Sequence, residues 1–327
     1  AVVYDNEGTK VELNGSLRVI MEKADKKEYD AANHSTKKSN SALRNAGSRF
    51  GITVKHNLDN DFYALGRVEF RFDDTTSRDK FGGVYAKRAY VGLGSKAIGE
   101  LKFGRQLTIA DDLTQANDYD YGFIPKEEYI PTAGTGVVRY DYKGIEGLQL
   151  SANYNFGQTN DEKGNPLNPG IKNAYAVGAL YTAGDLDARF AYGHTNYETG
   201  ASYKHRLDGF LASLGYKFGD FTLTGDFAYG HEKLDDEKLN KFYVAPGFAY
   251  QVLPASKVYG NYLYERVKAD SDKVKTHGFL LGADYQLHKQ VVVFLEGKYV
   301  TKKEYVADTY NGKTKDRAIG VGMRVYF

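Results

Sequence analysis

The sequence predicts an all-β protein, an antiparallel transmembrane β-barrel of about 16 strands, and three observations support this fold. First, Tyr, Gly, Val and Phe dominate the 327 residues, with 28 Tyr and 36 Gly, and this composition favours strands over helices. Second, apolar and polar residues alternate with a period of two in many segments. Third, short turns alternate with long polar connections along the chain, as in outer-membrane barrels.

The alternation is clearest in residues 10–22, 148–156, 221–229 and 318–327. In the last of these, Ile319, Val321 and Met323 alternate with Gly320, Gly322 and Arg324. One face of each strand is therefore apolar and the other is wet. A soluble β-sandwich with Tyr-rich strands is the alternative fold, but such a fold rarely keeps its apolar parity over so many strands.

Two kinds of connection separate the strands, and they predict tight turns at one end of the barrel and long loops at the other. The short turns fall at residues 58–61, 144–147, 183–185, 219–220, 253–256 and 288–289. The long polar segments cover residues 24–46, 73–82, 106–136, 157–171, 196–204, 231–239 and 301–315. Aromatic residues gather near the strand ends, as Tyr216 and Phe218 do beside the 219–220 turn, which suits the headgroup level of a membrane.

Closure of the sheet follows from the membrane as a solvent. Backbone groups in hydrocarbon must all be hydrogen-bonded within the protein, so a sheet there must close on itself and lose its edges. Lipid then meets the outer face and water the inner face. No linker interrupts the pattern, and residues 1–327 are predicted to form a single barrel domain.

Several other classes of protein are disfavoured by composition. The absence of Cys excludes disulfides and Cys-ligated zinc, and the net charge of +2 is too small to indicate nucleic acid as the main partner. The seven His residues form no close cluster in the sequence, so neither a metal nor a cofactor is predicted. No stretch reaches the roughly 18 apolar residues of a membrane helix. The N-terminus lacks a signal sequence, so the chain is either not exported or already mature.

Several local strings resemble Gram-negative general porins, and their order along the chain matches that family. They are residues 10–16 of the opening strand, 48–52 with an inward Arg, 66–70 with an inward Glu, 103–105 before the long third loop, and the terminal Phe327. The first two strands and residues 129–132 are most similar to the major outer-membrane porins of the Pasteurellaceae.

The resemblance implies a homotrimer in the outer membrane of a Gram-negative bacterium, with one pore per subunit and the third loop folded into the lumen. It implies passive diffusion of small hydrophilic solutes and ions, contact with outer-membrane lipid and lipopolysaccharide, and recognition of Phe327 by the barrel-assembly machinery. One departure concerns the third loop, where enterobacterial members carry Pro-Glu-Phe-Gly-Gly-Asp and this chain carries Phe-Ile-Pro-Lys-Glu-Glu at residues 123–128.

Charged residues on the wet parity predict a constriction with two sides. The basic wall on the early strands consists of Arg18, Arg49, Arg67, Arg71, Lys87 and Arg139. The acidic side consists of Glu69 on the wall, which orients the neighbouring Arg groups, and Asp111, Asp112, Asp118, Asp120, Glu127 and Glu128 of the third loop. Residues 106–136 carry a net charge of −5. Opposed charges of this kind set ion selectivity. Arg88 breaks the alternation beside Lys87, and the sequence leaves open which of the two points inward.

Two further assignments complete the analysis. By resemblance, Arg105 is predicted at the subunit interface, paired with Asp73, Asp74 or Asp79 of a neighbouring subunit's second loop. No nucleophile and base stand at a readable spacing, so no enzymatic activity is predicted. The alternatives are an outer-membrane barrel enzyme, or an adhesin or structural anchor that binds through long loops such as residues 24–46.

Overall fold

A computed structural model describes residues 1–200 and 202–327 of the chain. Its hydrogen-bonded strands form one continuous antiparallel sheet. Among the described residues, no helix is long and apolar enough to cross a membrane.

The described residues form sixteen barrel strands. One of these strands is interrupted, and two short segments each continue the line of a longer strand. The strands are β1 Thr9–Tyr29, β2 Ser35–Asn45 and Arg49–Asn57, β3 Phe62–Phe72, β4 Val84–Ser95, β5 Gly99–Leu107, β6 Ala133–Ile145, β7 Leu148–Asn155 with its continuation Gln158–Asn160, β8 Pro166–Ala183, β9 Leu186–Tyr197, β10 His205–Phe218, β11 Phe221–Leu234, β12 Glu237–Leu253, β13 Ser256–Ala269, β14 Asp272–His288, β15 Val291–Val306 and β16 Thr309–Tyr326.

The barrel closes where β16 pairs with β1, from Lys313 opposite Tyr29 to Tyr326 opposite Ser16. The short N-terminal segment Val2–Asn6 pairs with the start of β1 and continues the line of β16. This closed antiparallel barrel confirms the predicted fold class.

The two faces of each strand meet different solvents. In β11, Asp226 and Ala228 are 0% and 8% exposed, whereas the neighbouring Phe227 and Tyr229 are 39% and 46% exposed. Small and polar side chains thus point inward, and large apolar ones form an outer skin. This skin is what a lipid bilayer requires of a barrel with a polar interior.

The predicted short turns are present at one end of the barrel, but three predicted long loops are wrong. Residues 24–46 belong mostly to β1 and β2, residues 231–239 to β11 and β12, and residues 301–315 to β15 and β16, with tight turns between the strands. These hairpins extend beyond the apolar band, where water wets both faces. Polar residues on both faces then imitate the composition of a loop.

The third loop, residues 108–132 between β5 and β6, runs inside the barrel. Ile109, Leu113 and Tyr129 are fully buried in a cluster against the inner wall. Two inward glycines allow this close approach. A Cβ on Gly193 would lie 2.6 Å from the side chain of Ile130, and one on Gly209 would collide with the carbonyl oxygen of Tyr129. The predicted inward third loop is therefore confirmed.

Candidate functional site

A buried carboxylate on β15 holds residues 119–121 in the middle of the third loop. Glu296 accepts hydrogen bonds from the backbone N–H groups of Tyr119, Asp120 and Tyr121 at 2.8, 3.0 and 2.6 Å. It also accepts the hydroxyl of Tyr259 at 2.5 Å. Three consecutive amides on one charged acceptor fix the local backbone path, because charge-assisted hydrogen bonds are stronger than neutral ones.

A second carboxylate on β11 performs the same task closer to the start of the loop. Asp226 accepts the backbone N–H groups of Gln115 and Ala116 at 3.0 and 3.2 Å and the hydroxyl of Thr114 at 2.8 Å. Ser213 on β10 donates to the same carboxylate at 2.5 Å. The two anchors of the third loop, Glu296 and Asp226, are fully buried. Their negative charges therefore bind the loop and are not exposed to passing solutes.

The far end of the loop is held by Tyr129, whose hydroxyl donates to Glu265 on β13 at 2.7 Å. Lys241 on β12 donates to the carbonyl of Glu128 at 2.6 Å. The ring of Tyr129 also meets that of Tyr243 edge-on, with ring centroids 5.1 Å apart. The loop is therefore fastened to β11–β15, and the predicted basic residues of β1–β4 lie on other strands.

Part of the predicted basic wall is organised around Glu69. This carboxylate pairs with Arg67 at 3.2 Å and with Arg71 at 3.0 Å. Arg67 also donates to the hydroxyl of Thr53 at 2.8 Å. Glu69 therefore belongs geometrically to the wall and bridges two cations.

Arg18 and Arg49 lie beside this group without carboxylate partners among the described residues. The guanidinium of Arg18 donates to the hydroxyl of Ser16 at 2.7 Å, and that of Arg49 to the carbonyl of Gly47 at 3.0 Å. Arg49 interacts electrostatically with three other cations, Arg18, Arg71 and Arg324, and with the carboxylate of Glu69. Arg18 and Arg49 therefore make no direct ion pair, and Glu69 balances their charge only in part.

A β-bulge resolves the register of β4. The pairing shifts between Glu69 opposite Arg88 and Phe70 opposite Ala86, so Lys87 is left without a partner in the ladder. Both cations then contact Glu162 of the fourth loop, Lys87 at 3.5 Å and Arg88 at 3.3 Å. A bulge places two residues opposite one, and here the side chains of both Lys87 and Arg88 point inward.

Arg139 differs from the other predicted wall residues because it is buried and paired. It contacts Asp141 at 3.1 Å and Asp112 at 3.4 Å and donates to the carbonyl of Leu107. It therefore ties the base of the third loop to β6.

The acidic residues of the third loop divide into paired and unpaired groups. Asp111 pairs with Lys126 at 3.7 Å, Asp112 with Arg139 at 3.4 Å, and Asp120 with Arg44 at 2.6 Å. In the described part of the chain, three of the predicted acids make no ion pair, and they are Asp118, Glu127 and Glu128. These three carry the charge that the loop offers to the lumen.

Asp118 is the loop carboxylate with the largest change in acidity. Its side chain is exposed on the loop. Partial desolvation of the carboxylate, together with the nearby charge of Glu296, raises the pKa of Asp118 to about 6. Desolvation also raises the pKa of Glu127.

Arg324 and Arg44 are among the lumenal cations that the sequence prediction missed. Arg324 on β16 donates to the carbonyl of Tyr119 at 2.5 Å, and Arg44 on β2 binds both Glu22 and Asp120. Arg324 stands on the wet parity of the last strand and could have been found there. Arg44 was missed because β2 is interrupted at residues 46–48. Even-numbered residues point inward before the interruption, and odd-numbered residues point inward after it.

The remaining predicted residues lie at the chain's end and at the base of the third loop. Phe327 exchanges two backbone hydrogen bonds with Gly15 at 3.0 and 3.1 Å. Arg105 donates to the carbonyls of Ala86 and Glu162 in its own chain, at 2.7 and 3.5 Å. Of the acids predicted to face Arg105, Asp73 and Asp74 pair with Lys163 of this chain. Among the described residues, no group of three His, Asp or Glu is placed to hold a metal ion.

Residues 4–305 match the model of a family described as Gram-negative porin. The chain belongs to this family. This porin is 28% identical to a major outer membrane protein of Pasteurella multocida, in an alignment that covers all of this chain and 94% of that protein. The predicted likeness to porins of the Pasteurellaceae is thereby confirmed. The porin is a multi-pass protein of the outer membrane, and its family indicates a channel rather than an enzyme.

Two solved structures share the porin's fold at low sequence identity. The trimer form of OmpT, an outer membrane protein of Vibrio cholerae, has a TM-score of 0.74 at 18% identity over 98% of this chain and all of that chain. An anion-selective porin from Comamonas acidovorans has a TM-score of 0.72 at 18% identity, with the same coverage.

Proposed function

We propose that this porin forms homotrimeric, water-filled channels for the passive diffusion of small hydrophilic solutes and ions. The pore constriction lies between the basic wall and the third loop. The observation that carries the proposal is the fastening of the third loop to β11–β15 by Glu296 and Asp226. A loop fixed there narrows the lumen beside the wall that holds the half-buried Arg18 and Arg49.

The charges on the two sides produce a transverse field. Among the described residues, Arg18 and Arg49 make no direct ion pair, and Asp118, Glu127 and Glu128 are the unpaired acids of the loop. Fields between low-dielectric walls are focused and raise the local concentration of matching solutes. Polar solutes align their dipoles in such a field, while apolar solutes must disrupt ordered water.

The wall favours anionic solutes such as phosphorylated metabolites, because its five cations outnumber the carboxylates paired with them, Glu69 with Arg67 and Arg71 and Glu162 with Lys87. The five are Arg18, Arg49, Arg67, Arg71 and Lys87. The name of the Comamonas structure, an anion-selective porin, agrees with this direction. Swelling of liposomes that contain the protein, in a matched neutral and anionic sugar, tests the preference, and equal rates would remove it.

Three contacts with partners complete the proposal. Arg105 and the second loop face a neighbouring subunit of the homotrimer, and a trimer form is described for OmpT, which shares the fold. The outer skin contacts lipid and lipopolysaccharide. The exposed terminal Phe327 is read by the barrel-assembly machinery before the strand closes the barrel.

Single-channel recording in planar bilayers tests the channel itself. Purified protein should insert with conductance steps in groups of three, one per subunit, and remain open at low voltage. A barrel enzyme or an adhesin with a closed lumen gives no current, and conducting monomers would remove the trimer while leaving the channel.

A further inference from the structure

The tip of the fourth loop, residues 161–165 between β7 and β8, folds as a compact turn. The carboxylate of Asp161 accepts the backbone N–H groups of Lys163 and Asn165, both at 2.9 Å. The backbone N–H of Asp161 donates to the carbonyl of Asn165 at 2.9 Å and closes the turn. This segment is called the loop-4 tip below. Its side chains Glu162 and Lys163 carry opposite charges, and both contact other segments of the protein.

Glu162 covers the long-loop end of the basic wall. Its carboxylate lies 3.5 Å from the ammonium of Lys87 and 3.3 Å from the guanidinium of Arg88. Its backbone carbonyl accepts the guanidinium of Arg105 at 3.5 Å. Arg88 also interacts electrostatically with Arg71 of the wall. A carboxylate from a distant loop therefore neutralises cations that would otherwise add to the positive charge of the lumen.

Lys163 ties the loop-4 tip to the second loop. Its ammonium lies 2.5 Å from the carboxylate of Asp74 and 3.7 Å from that of Asp73. It also lies 5.3 Å from the centroid of the Tyr85 ring. Asp73 is itself held, because its carboxylate accepts the backbone N–H and the hydroxyl of Thr75 at 2.8 and 2.7 Å. The loop-4 tip is thus attached at two points, by a negative charge on the wall and by a positive charge on the second loop.

The loop-4 tip is held more weakly than the third loop. The anchors Glu296 and Asp226 are fully buried and accept several hydrogen bonds each. The side chain of Glu162 is 19% exposed and meets its two cations at 3.3 and 3.5 Å. Partly exposed ion pairs are weak and are screened by salt. Small anions in the lumen compete with Glu162 for the same two cations, so the cover is reversible.

We propose that Glu162 is a specificity-determining residue of the channel, and that Lys163 is the positioning residue that holds it over Lys87 and Arg88. The inference rests on the proposed function, because it concerns the preference of the same wall for anions. With the loop-4 tip seated, the Glu162 carboxylate lowers the positive charge of the wall. When the tip leaves, Lys87 and Arg88 are uncovered and the channel becomes more selective for anions.

Reversal potentials of the native oligomer in planar bilayers, under a salt gradient, test the role of Glu162. The variant Glu162→Gln removes the covering charge. A unit charge about 8 Å from a passing ion changes relative permeability about twofold, so the anion-to-cation permeability ratio should rise by about that factor. The matched control is Glu237→Gln, which removes an exposed acid at the start of β12, at the same long-loop end. Its ratio should equal that of the unaltered channel.

The variant Lys163→Gln separates the positioning role from a simple sum of charges. The loss of a cation near the channel mouth would by itself lower the anion-to-cation permeability ratio. We expect the ratio to rise instead, by about 1.5-fold, because the loop-4 tip loses its hold and Glu162 leaves the wall. Lys163→Arg keeps the charge and should keep the unaltered ratio.

The double variant Glu162→Gln/Lys163→Gln completes the cycle. Its tip has no carboxylate to withdraw, so the loss of Lys163 should now lower the ratio relative to Glu162→Gln alone. The effect of Lys163→Gln thus changes sign with the background, which residues that act independently do not show.

Three results would overturn the proposal. They are an unchanged ratio in Glu162→Gln, an equal rise in Glu237→Gln, and a fall in Lys163→Gln. A lower unfolding temperature of the loop variants without a change in selectivity would give the loop-4 tip a purely structural role and would overturn it as well. Absence of current in the unaltered protein would remove the proposed channel itself. Conducting channels with unchanged selectivity would remove only the role of Glu162.

Discussion

Glu296 of β15 accepts the backbone N–H of Tyr121 at 2.6 Å, although 175 residues separate them in the chain. Because the carboxylate also holds Tyr119 and Asp120, the position of the third loop depends on one charged side chain of the barrel wall. The loop's course across the lumen is therefore a property of the strands it touches as much as of its own sequence.

Replacing this carboxylate by an amide should loosen the loop without unfolding the barrel. In Glu296→Gln the acceptor loses its charge, and its new N–H₂ group faces backbone N–H donors. Each lost charge-assisted hydrogen bond costs about 1.5–3 kcal/mol. We expect more frequent subconductance states and closure at lower voltage in single-channel records, with little change in the heat needed to unfold the barrel.

Glu146→Gln is the matched control for this substitution, since Glu146 is an exposed acid of a short turn. It removes the same charge and should leave channel noise unchanged. Quiet channels in Glu296→Gln would show that the loop does not depend on this anchor.

The wall residues predict opposite shifts of ion selectivity. A unit charge about 8 Å from a passing ion contributes roughly 0.5 kcal/mol at the dielectric constant of water, or about twofold in relative permeability. Arg49→Gln should therefore lower the anion-to-cation permeability ratio about twofold, and Glu69→Gln should raise it by a similar factor. Reversal potentials under a salt gradient measure both effects.

Lys96→Gln provides the control for the Arg49 variant, because Lys96 is exposed in a short turn outside the constriction. Its reversal potential should equal that of the unaltered channel. Selectivity that moves in the same direction for Arg49→Gln and Glu69→Gln would contradict a field set by these charges.

The strands could be predicted from the sequence because alternation is local, as in β11 and β16. The role of the two loop anchors could not be predicted from the sequence. Asp226 and Glu296 stand on the wet parity and look like pore charges, but the loop amides that neutralise them lie more than 100 residues away. Their burial depends on the loop's path, which alternation does not encode.

The grouping of charged side chains on the wall was predictable in outline for the same reason. Arg49, Arg67 and Arg71 share the parity of neighbouring strands, and Glu69 between them follows from the same count. The partners of Arg44 and Arg139 depend on the interruption of β2 and on the base of the third loop. Neither feature has a periodic signal.

Asp118 predicts a pH dependence of selectivity. Its pKa is raised to about 6, so the carboxyl is charged at pH 7.5 and mostly protonated at pH 5, where an ordinary Asp would stay charged. Acidification should therefore remove negative charge from the loop and raise the anion-to-cation permeability ratio about twofold, by the charge argument used for Arg49.

Asp118→Asn separates this carboxyl from the others. The variant should show at pH 7.5 the ratio that the unaltered channel reaches at pH 5, and its remaining pH dependence should be smaller. A full pH shift that persists in Asp118→Asn would assign the titration to another group, such as Glu127, whose pKa is also raised.

Gly209 predicts how closely the loop and wall must fit. A Cβ at this position collides with the backbone carbonyl of Tyr129, and a backbone atom cannot turn aside as a flexible side chain can. Gly209→Ala should therefore push the loop end away from β10, at a cost of about 1–3 kcal/mol for overpacking. We expect a lower unfolding temperature in detergent and a changed single-channel conductance. Gly297→Ala places the same methyl group on the outer skin in ordinary van der Waals contact, 3.5 Å from the carbonyl oxygen of Ala318, and should change neither quantity. If Gly209→Ala behaves like Gly297→Ala in both measurements, the third loop does not pack against β10 at this distance.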